Sequence, residues 1–297
     1  MTQLHFLGPP GTFSESAARA ASRMLSVPAE LNACRSIQST ADAVATDGGF
    51  GVVPYYNLLE GLVQEGIDSI ATRSLQIGGL VRLPVVFSAG VQPGVSPGDI
   101  ELIKSHPKAL AQCSDFIAEM FPHAIPDATA STAASVVGAV ADRRMACLAS
   151  TQAIVDSNLE IVREDVGNRC YGMTNFTDFL LVTSPEDPGS FSCGPADRCI
   201  VSVTPDGDRV GLLSHVLSLF AMFNINLSKI HSRPAAVPGT SGQNPQTFYL
   251  EAETAPYSDE LLKCVSVLEA AFCGGPGSTV VHGGFQYPAD PTAGENP

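Results

Sequence analysis

Residues 50–61, Phe50-Gly51-Val52-Val53-Pro54-Tyr55-Tyr56-Asn57-Leu58-Leu59-Glu60-Gly61, set one uncharged amide, Asn57, between two tyrosines and two leucines. An amide offers donors and an acceptor without net charge. At the end of an apolar strand, such a group suits recognition of a polar ligand. Tyr55 and Tyr56 can shape the pocket, and a phenol can relay a proton. A second stretch, Gly8-Pro9-Pro10-Gly11-Thr12-Phe13-Ser14-Glu15, combines glycines with two hydroxyls. A helix starting there makes an anion-binding corner from its unpaired N–H groups and dipole. A helix merely capped by Thr12 or Ser14 accounts for the stretch equally well. A third, Thr177-Asp178-Phe179, sets a hydroxyl beside a carboxylate. His106 precedes Pro107 at a strand end, where it is more often a structural cap than a ligand contact. Glu60 reads as a helix N-terminal charge that can orient Asn57.

The elements that must position these groups follow from pattern. Residues 3–7 form a strand, and a helix runs from about Ser14 to Met24. Strands at Leu31–Cys34 and Phe50–Val53 alternate with helices around Thr40–Ala45 and from Glu60 to about Thr72. Residues 75–91 read as two strands, near which the chain crosses to a second lobe. A strand over 100–104, a helix over Lys108–Met120 after Pro107, a helix capped by Ser131 and a strand over 145–149 follow. Residues 175–184 read as a strand returning to the first lobe. The alternation predicts an α/β fold with a mainly parallel sheet. Residues 185–197, rich in Pro, Gly, Ser and Asp, read as a linker after a first domain over 1–184. Residues 198–287 then run strand, helix, strand, strand, helix, strand, the ferredoxin-like βαββαβ order. Its strands are Cys199–Val203, Ile225–Ile230, Phe248–Glu253 and Ser278–His282. Its helices are Gly211–Phe223 and Asp259–Phe272. The Pro/Gly/Ser-rich insert over 234–245 reads as a mobile loop, and 288–297 as a disordered tail.

Composition narrows the function. Of 297 residues, 44% are hydrophobic and 15% charged, which fits a globular protein with more than one core. A net charge of -14 excludes an ordinary nucleic-acid binder, which needs a basic face. An anionic ligand then requires local N–H dipoles and a few placed cations. The opening residues carry no basic region or long apolar run, so neither a signal peptide nor a membrane span is expected. Eight scattered cysteines without a CxxC pair read as reduced packing residues of a cytoplasmic protein. There is no phosphate loop and no metal-ligand constellation, so no cofactor is expected.

Several of these stretches resemble the prephenate dehydratase family. Phe6-Leu7-Gly8-Pro9-Pro10-Gly11-Thr12-Phe13-Ser14-Glu15 is similar to its opening motif. Ser105-His106-Pro107-Lys108-Ala109-Leu110-Ala111-Gln112-Cys113 and Val52-Val53-Pro54 with Asn57, Glu60 and Gly61 are similar to two others. The C-terminal part resembles an ACT domain, with Gly211-Leu212-Leu213 and Ser232-Arg233-Pro234 at its effector motifs. The resemblance spans residues 4 to about 287. It implies a two-lobed, periplasmic-binding-protein-like (type II) catalytic domain with prephenate bound between the lobes. It also implies a C-terminal ACT module with a possible amino-acid effector, and a homodimer or homotetramer. Thr12, Ser14, Asn57 and Thr177 would then contact substrate, with Tyr55, Leu58, His106 and Phe179 around them.

The chain departs from the family pattern at three places. Thr-Arg-Phe is Thr177-Asp178-Phe179 here. Val-Pro-Ile-Glu-Asn-Ser is Val53-Pro54-Tyr55-Tyr56-Asn57-Leu58. His231 replaces a glutamate in the C-terminal part. If Asp178 faced the cleft, exchanging guanidinium for carboxylate would cost about 4 kcal/mol per unit charge, at about 4 Å and an effective dielectric near 20, so either Asp178 points away from the ligand, or the substrate sits differently, or the chemistry differs. Ring dehydration needs an acid for the leaving hydroxyl, whereas decarboxylation does not. Asp178 with Tyr56 and Leu58 therefore predicts a drier cleft and the chemistry of the non-aromatising prephenate decarboxylases. The product would be a dihydro-4-hydroxyphenylpyruvate for secondary metabolism. Ordinary dehydration to phenylpyruvate is the alternative, favoured by the retained Thr177, and a non-catalytic small-molecule sensor is a second. Replacing the glutamate by His231 removes an acceptor for an ammonium, so loss of phenylalanine inhibition is expected.

Overall fold

Strand β1 (Thr2–Leu7) runs into the Gly-Pro-Pro-Gly loop and helix α1 (Phe13–Ala21). The computed structural model describes residues 2–167, 174–186, 195–207, 209–235, 246–273 and 277–288. Much of the expected linker, C-terminal insert and tail therefore lies outside the described residues. β2 (Ala29–Cys34) and α2 (Ile37–Asp47) follow. Ser36 and Ser39 cap α2 reciprocally, each side chain accepting from the other's backbone N–H. β3 (Phe50–Asn57) extends to Asn57 itself, and the two-residue β4 (Gly61–Leu62) folds back against it. α3 (Gln64–Thr72) therefore starts four residues later than expected, because 58–60 are spent on a turn. α3 sits directly on β3: a Cβ at Gly66 would lie 2.0 Å from the Pro54 carbonyl oxygen, so only glycine allows this approach.

β5 (Gln76–Pro84) leaves this sheet, and β6 (Ser88–Val91) enters a second. The second sheet adds β7 (Leu102–Ser105), β8 (Ile125–Ala128), β9 (Met145–Ala149) and β10 (Glu160–Arg163). Between them stand α4 (Pro107–Gln112), α5 (Ser114–Met120), α6 (Thr132–Ala141) and α7 (Thr151–Asp156). The helix expected over 108–120 is two, broken where the Cys113 backbone leaves the helical region at φ -113° and ψ 15°. The chain returns on β11 (Phe176–Thr183), inserted antiparallel between β5 and β3.

That insertion corrects the expected mainly parallel sheet. β1, β2 and β3 are parallel, but the strand leaving for the second sheet and the strand returning from it run side by side in opposite directions. The second sheet is also mixed, in the order β10-β6-β9-β7-β8. The C-terminal elements are β12 (Arg198–Val203), α8 (Leu212–Met222), β13 (Leu227–Pro234), β14 (Gln246–Ala252), α9 (Asp259–Phe272) and β15 (Thr279–Phe285), in the expected βαββαβ order. β13 begins two residues later than read and runs on through Ser232, Arg233 and Pro234. These strands do not form an isolated sheet. β15 lies parallel to β5 at Gly283 and Ile77, giving the order β13-β14-β12-β15-β5-β11-β3-β1-β2. Gly283 has φ +98°, and a Cβ there would lie 2.2 Å from the Ile77 carbonyl oxygen, so the seam requires glycine. Separate apolar cores line the two faces of the first sheet, the second sheet and the C-terminal unit. No described helix is long and apolar enough to cross a membrane.

Candidate active site

A cleft of about 530 Å³ opens between the two sheets. Its floor is the β3–β11 ladder, where Asn57 pairs with Thr177 in register. Asn57 is 92% buried and uses all its hydrogen-bonding capacity. Its Nδ2 donates to the Phe176 carbonyl at 3.0 Å and to Thr177 Oγ1 at 2.9 Å. Its Oδ1 accepts from the N–H groups of Leu59 at 3.0 Å and Glu60 at 3.2 Å, which closes the turn. Asn57 thus orders Glu60, the reverse of the expected direction. With an amide donating to Oγ1, the Thr177 proton is directed elsewhere, toward the cleft that Thr177 lines.

Strand alternation sorts the neighbours. Thr177 and Phe179 line the cleft, with Pro54 and Asn57 beside them. Asp178 projects to the opposite face and is 0% exposed. There Arg82 on β5 stands directly across from it, donating from Nε at 2.7 Å and from Nη2 at 2.9 Å to its two oxygens. Burial raises the Asp178 pKa above the ordinary value, and the Arg82 hydrogen bonds and charge offset this only in part. The ladder shifts register between Asp178 and Phe179, leaving Tyr55 as the extra residue of a bulge. Tyr55 is buried on the far face and donates from its hydroxyl to Glu251 Oε2 at 2.9 Å. Burial and the Glu251 charge push its pKa well above the ordinary range, so it stays a fixed donor. Tyr56, opposite Asp178, packs against the same core, with the Lys229 ammonium 5.1 Å from its ring centroid. Leu58 donates its N–H to the Phe176 carbonyl at 3.0 Å and does not line the cleft. Tyr55, Tyr56, Leu58 and Asp178 are therefore corrected as cleft residues.

Helix starts form the walls. Thr12 is the N-cap of α1, but its hydroxyl donates to the Pro9 carbonyl at 2.9 Å and leaves the first-turn N–H groups without a side-chain cap. That end faces the cleft with Thr12, Phe13 and Ser14. His106 caps α4, its Nδ1 accepting from the Lys108 N–H at 3.3 Å, and also lines the cleft. Ser131 caps α6 by accepting from the Ala134 N–H at 3.1 Å. Glu60 is not at a helix start; it pairs with Lys108, whose ammonium donates to Glu60 Oε2. Among the described lining residues these are the carboxylate and the ammonium, and they pair with each other, which leaves the N–H groups at the start of α1 as donors open to an anion.

Lys108, Gln112, Ser131 and Asn175 line the cleft too, and were not chosen from sequence. Lys108 and Gln112 stand four apart on α4, which puts them on one helix face. Asn175 stands two residues before Thr177, which puts it on one strand face. Its Nδ2 donates to Gln112 Oε1 at 3.3 Å, while its buried Oδ1 has no partner among the described residues. In the C-terminal unit, Gly211 is the N-cap of α8 and Leu212 is buried. Ser232, Arg233 and Pro234 lie on β13, not in a loop after it. Arg233 donates from Nε at 3.1 Å and from Nη2 at 2.6 Å to Asp68 on α3, so it joins the unit to the first sheet.

Two mixed sheets with a cleft between them, an uncapped helix end and a hydroxyl held by an amide define an α/β protein with one candidate site at the cleft. The prephenate dehydratase family pattern matches residues 4–187. The chain is 32% identical over 282 residues to the prephenate dehydratase of Bacillus subtilis (strain 168), covering 90% of this chain and 94% of that one. It superposes on the prephenate dehydratase of Arthrobacter aurescens in complex with L-Phe with a TM-score of 0.80 at 28% identity, over 96% of this chain and 90% of that one. The enzyme from Staphylococcus aureus subsp. aureus Mu50 gives 0.77 at 26% identity, over 96% and 100%. The chain belongs to the prephenate dehydratase family.

Proposed function

We propose that the protein is a prephenate dehydratase, converting prephenate into phenylpyruvate, carbon dioxide and water. The observation that carries this reading is the pair of neighbours Thr177 and Asp178. The hydroxyl needed by a dehydratase lines the cleft under Asn57, and the carboxylate that would oppose a dianion is turned away onto Arg82. Non-aromatising decarboxylation rested on Asp178, Tyr56 and Leu58, none of which lines the cleft.

The uncapped first turn of α1, with Thr12 and Ser14, takes one carboxylate of the substrate. Ser131, Thr132 and Lys108 also line the cleft. The bond between the ring and its carboxylate breaks, releasing carbon dioxide, and its electron pair enters the ring. The ring carbon–hydroxyl bond breaks at the same time, and the hydroxyl leaves as water by taking the Thr177 proton. Thr177 regains a proton from solvent. The net reaction consumes one proton, and aromatisation drives it. Hydroxide alone is a poor leaving group, so Thr177 is the general acid and Asn57 its positioning residue.

The C-terminal βαββαβ unit is an ACT module in this reading, with Gly211, Leu212, Ser232, Arg233 and Pro234 near an amino-acid effector, in a homodimer or homotetramer. The L-Phe complex of the Arthrobacter aurescens relative supports an effector of this kind. Replacement of the family glutamate by His231 supports loss of phenylalanine inhibition, and titrating activity with phenylalanine tests it; strong inhibition overturns it. The identity of the ring product tests the main reading. Phenylpyruvate supports it, and a product that keeps the ring hydroxyl overturns it.

A further inference from the structure

We propose that Arg82 is the positioning residue that fixes Thr177, gripping the residues on either side of it. This rests on the reading of Thr177 as the acid. One edge of the guanidinium makes the two-pronged contact with Asp178, the residue after Thr177. It also lies over the ring of the residue before, with the central carbon 3.9 Å from the Phe176 ring centroid. A rigid planar fork can do both at once, and an ammonium cannot. Asp178 is fully buried, so its carboxylate must keep this partner.

The grip reaches the chemistry through one atom. The Phe176 carbonyl accepts from Asn57 Nδ2 and from the Leu58 N–H, and the same Nδ2 holds Thr177 Oγ1. If Phe176 shifts, the amide and the acid shift with it. Arg82 is braced in turn from the C-terminal unit. The Tyr287 ring centroid lies 4.9 Å from the guanidinium carbon, and the Tyr287 hydroxyl donates to Glu251. Glu251 also accepts from Lys229 at 2.7 Å, Ser228 at 2.6 Å and Tyr55 at 2.9 Å. Where the family carries an arginine at position 178, this chain carries the carboxylate there and a guanidinium one strand away.

A misplacement of the acid lowers turnover more than substrate binding. Arg82→Gln is expected to lower kcat by about a hundredfold, with KM within about threefold. Arg82→Lys, which keeps the charge without the fork or the flat face, recovers part of kcat. Tyr287→Leu, which removes the brace, lowers kcat in the same direction by a smaller factor. Hydrogen exchange of full-length protein supplies a readout independent of turnover: amides over 174–179 and 57–60 exchange faster in Arg82→Gln, while those of β1 and β2 do not. A folded Arg82→Gln protein with wild-type kcat and wild-type exchange overturns the proposal. If Arg82→Gln does not fold, Arg82→Lys decides by the same two measurements. If the wild-type protein turns over no prephenate, the reading of Thr177 falls, and exchange alone judges the grip of Arg82.

Discussion

Asn57 Nδ2 lies 2.9 Å from Thr177 Oγ1, and the same amide group lies 3.0 Å from the Phe176 carbonyl. One NH₂ group therefore fixes both the acid and the backbone that carries it, and directs the threonine proton away from the ladder. Removing the hydroxyl as Thr177→Ala is expected to lower kcat by about 10²–10⁴-fold, the usual contribution of general acid catalysis. Thr177→Ser retains most activity because the oxygen stays. Steady-state rates of phenylpyruvate formation check this; an active Thr177→Ala protein would remove Thr177 from the mechanism.

Asn57→Asp keeps size and acceptor but turns the donor edge into a second acceptor facing the Phe176 carbonyl and Thr177 Oγ1. The two bonds donated by Asn57 Nδ2 are then lost, while the Phe176 carbonyl keeps the Leu58 N–H, so a cost of about 1–3 kcal/mol in total is expected. The expected outcome is a lower denaturation midpoint together with a lower kcat. Urea titration and rate measurements on the same preparation check it. Loss of activity with unchanged stability would point to direct substrate contact by Asn57.

Asp178→Asn leaves the Arg82 fork with a neutral partner. Arg82 is about one-third exposed, so water screens part of the loss, and a cost of about 1–2 kcal/mol is expected. Because Asp178 does not line the cleft, KM for prephenate changes little. A marked fall in KM in Asp178→Asn would show that the carboxylate does repel substrate.

His282 ties stability to pH. It is buried on β15, where its Nε2 lies 2.9 Å from Ser202 Oγ and its Nδ1 has no partner among the described residues. Burial lowers its pKa from 6.5 to about 4. Between those values the unfolded chain binds the extra proton. Stability is therefore full above about pH 6.5 and falls as pH drops toward 4, by about 3 kcal/mol in total. His5 and His231 are lowered by burial too and add in the same direction. Denaturation midpoints measured from pH 7 to pH 4 should fall, and less steeply in His282→Gln. An equal fall in the variant would assign the loss to other groups.

Much of the frame was legible because it rests on local rules. Apolar alternation and serine caps placed most strands and helices, and the βαββαβ order followed from pattern alone. Asn57, Thr12, Ser14, His106, Thr177 and Phe179 all line the cleft. The sequence left the orientation of Asp178 open, between pointing away and facing the ligand. The period of a strand already separates Asp178 from its neighbours. Its partner Arg82 is 96 residues away, however, and only the insertion of β11 beside β5 brings the two together. Tyr55 and Tyr56 escaped for a related reason. The bulge beside them reorients the strand, and the group that accepts from Tyr55, Glu251, lies 196 residues on. Asn175 and Gln112 were missed although their spacing from Thr177 and Lys108 marks their faces.

The product formed from prephenate tests the central claim most directly. Purified full-length protein is incubated with prephenate, and proton NMR spectra are recorded through complete turnover. The account predicts loss of the ring vinyl signals and growth of the aromatic signals of phenylpyruvate, with Thr177→Ala slowing both together. A wild-type product that keeps vinyl signals and a ring hydroxyl would contradict it.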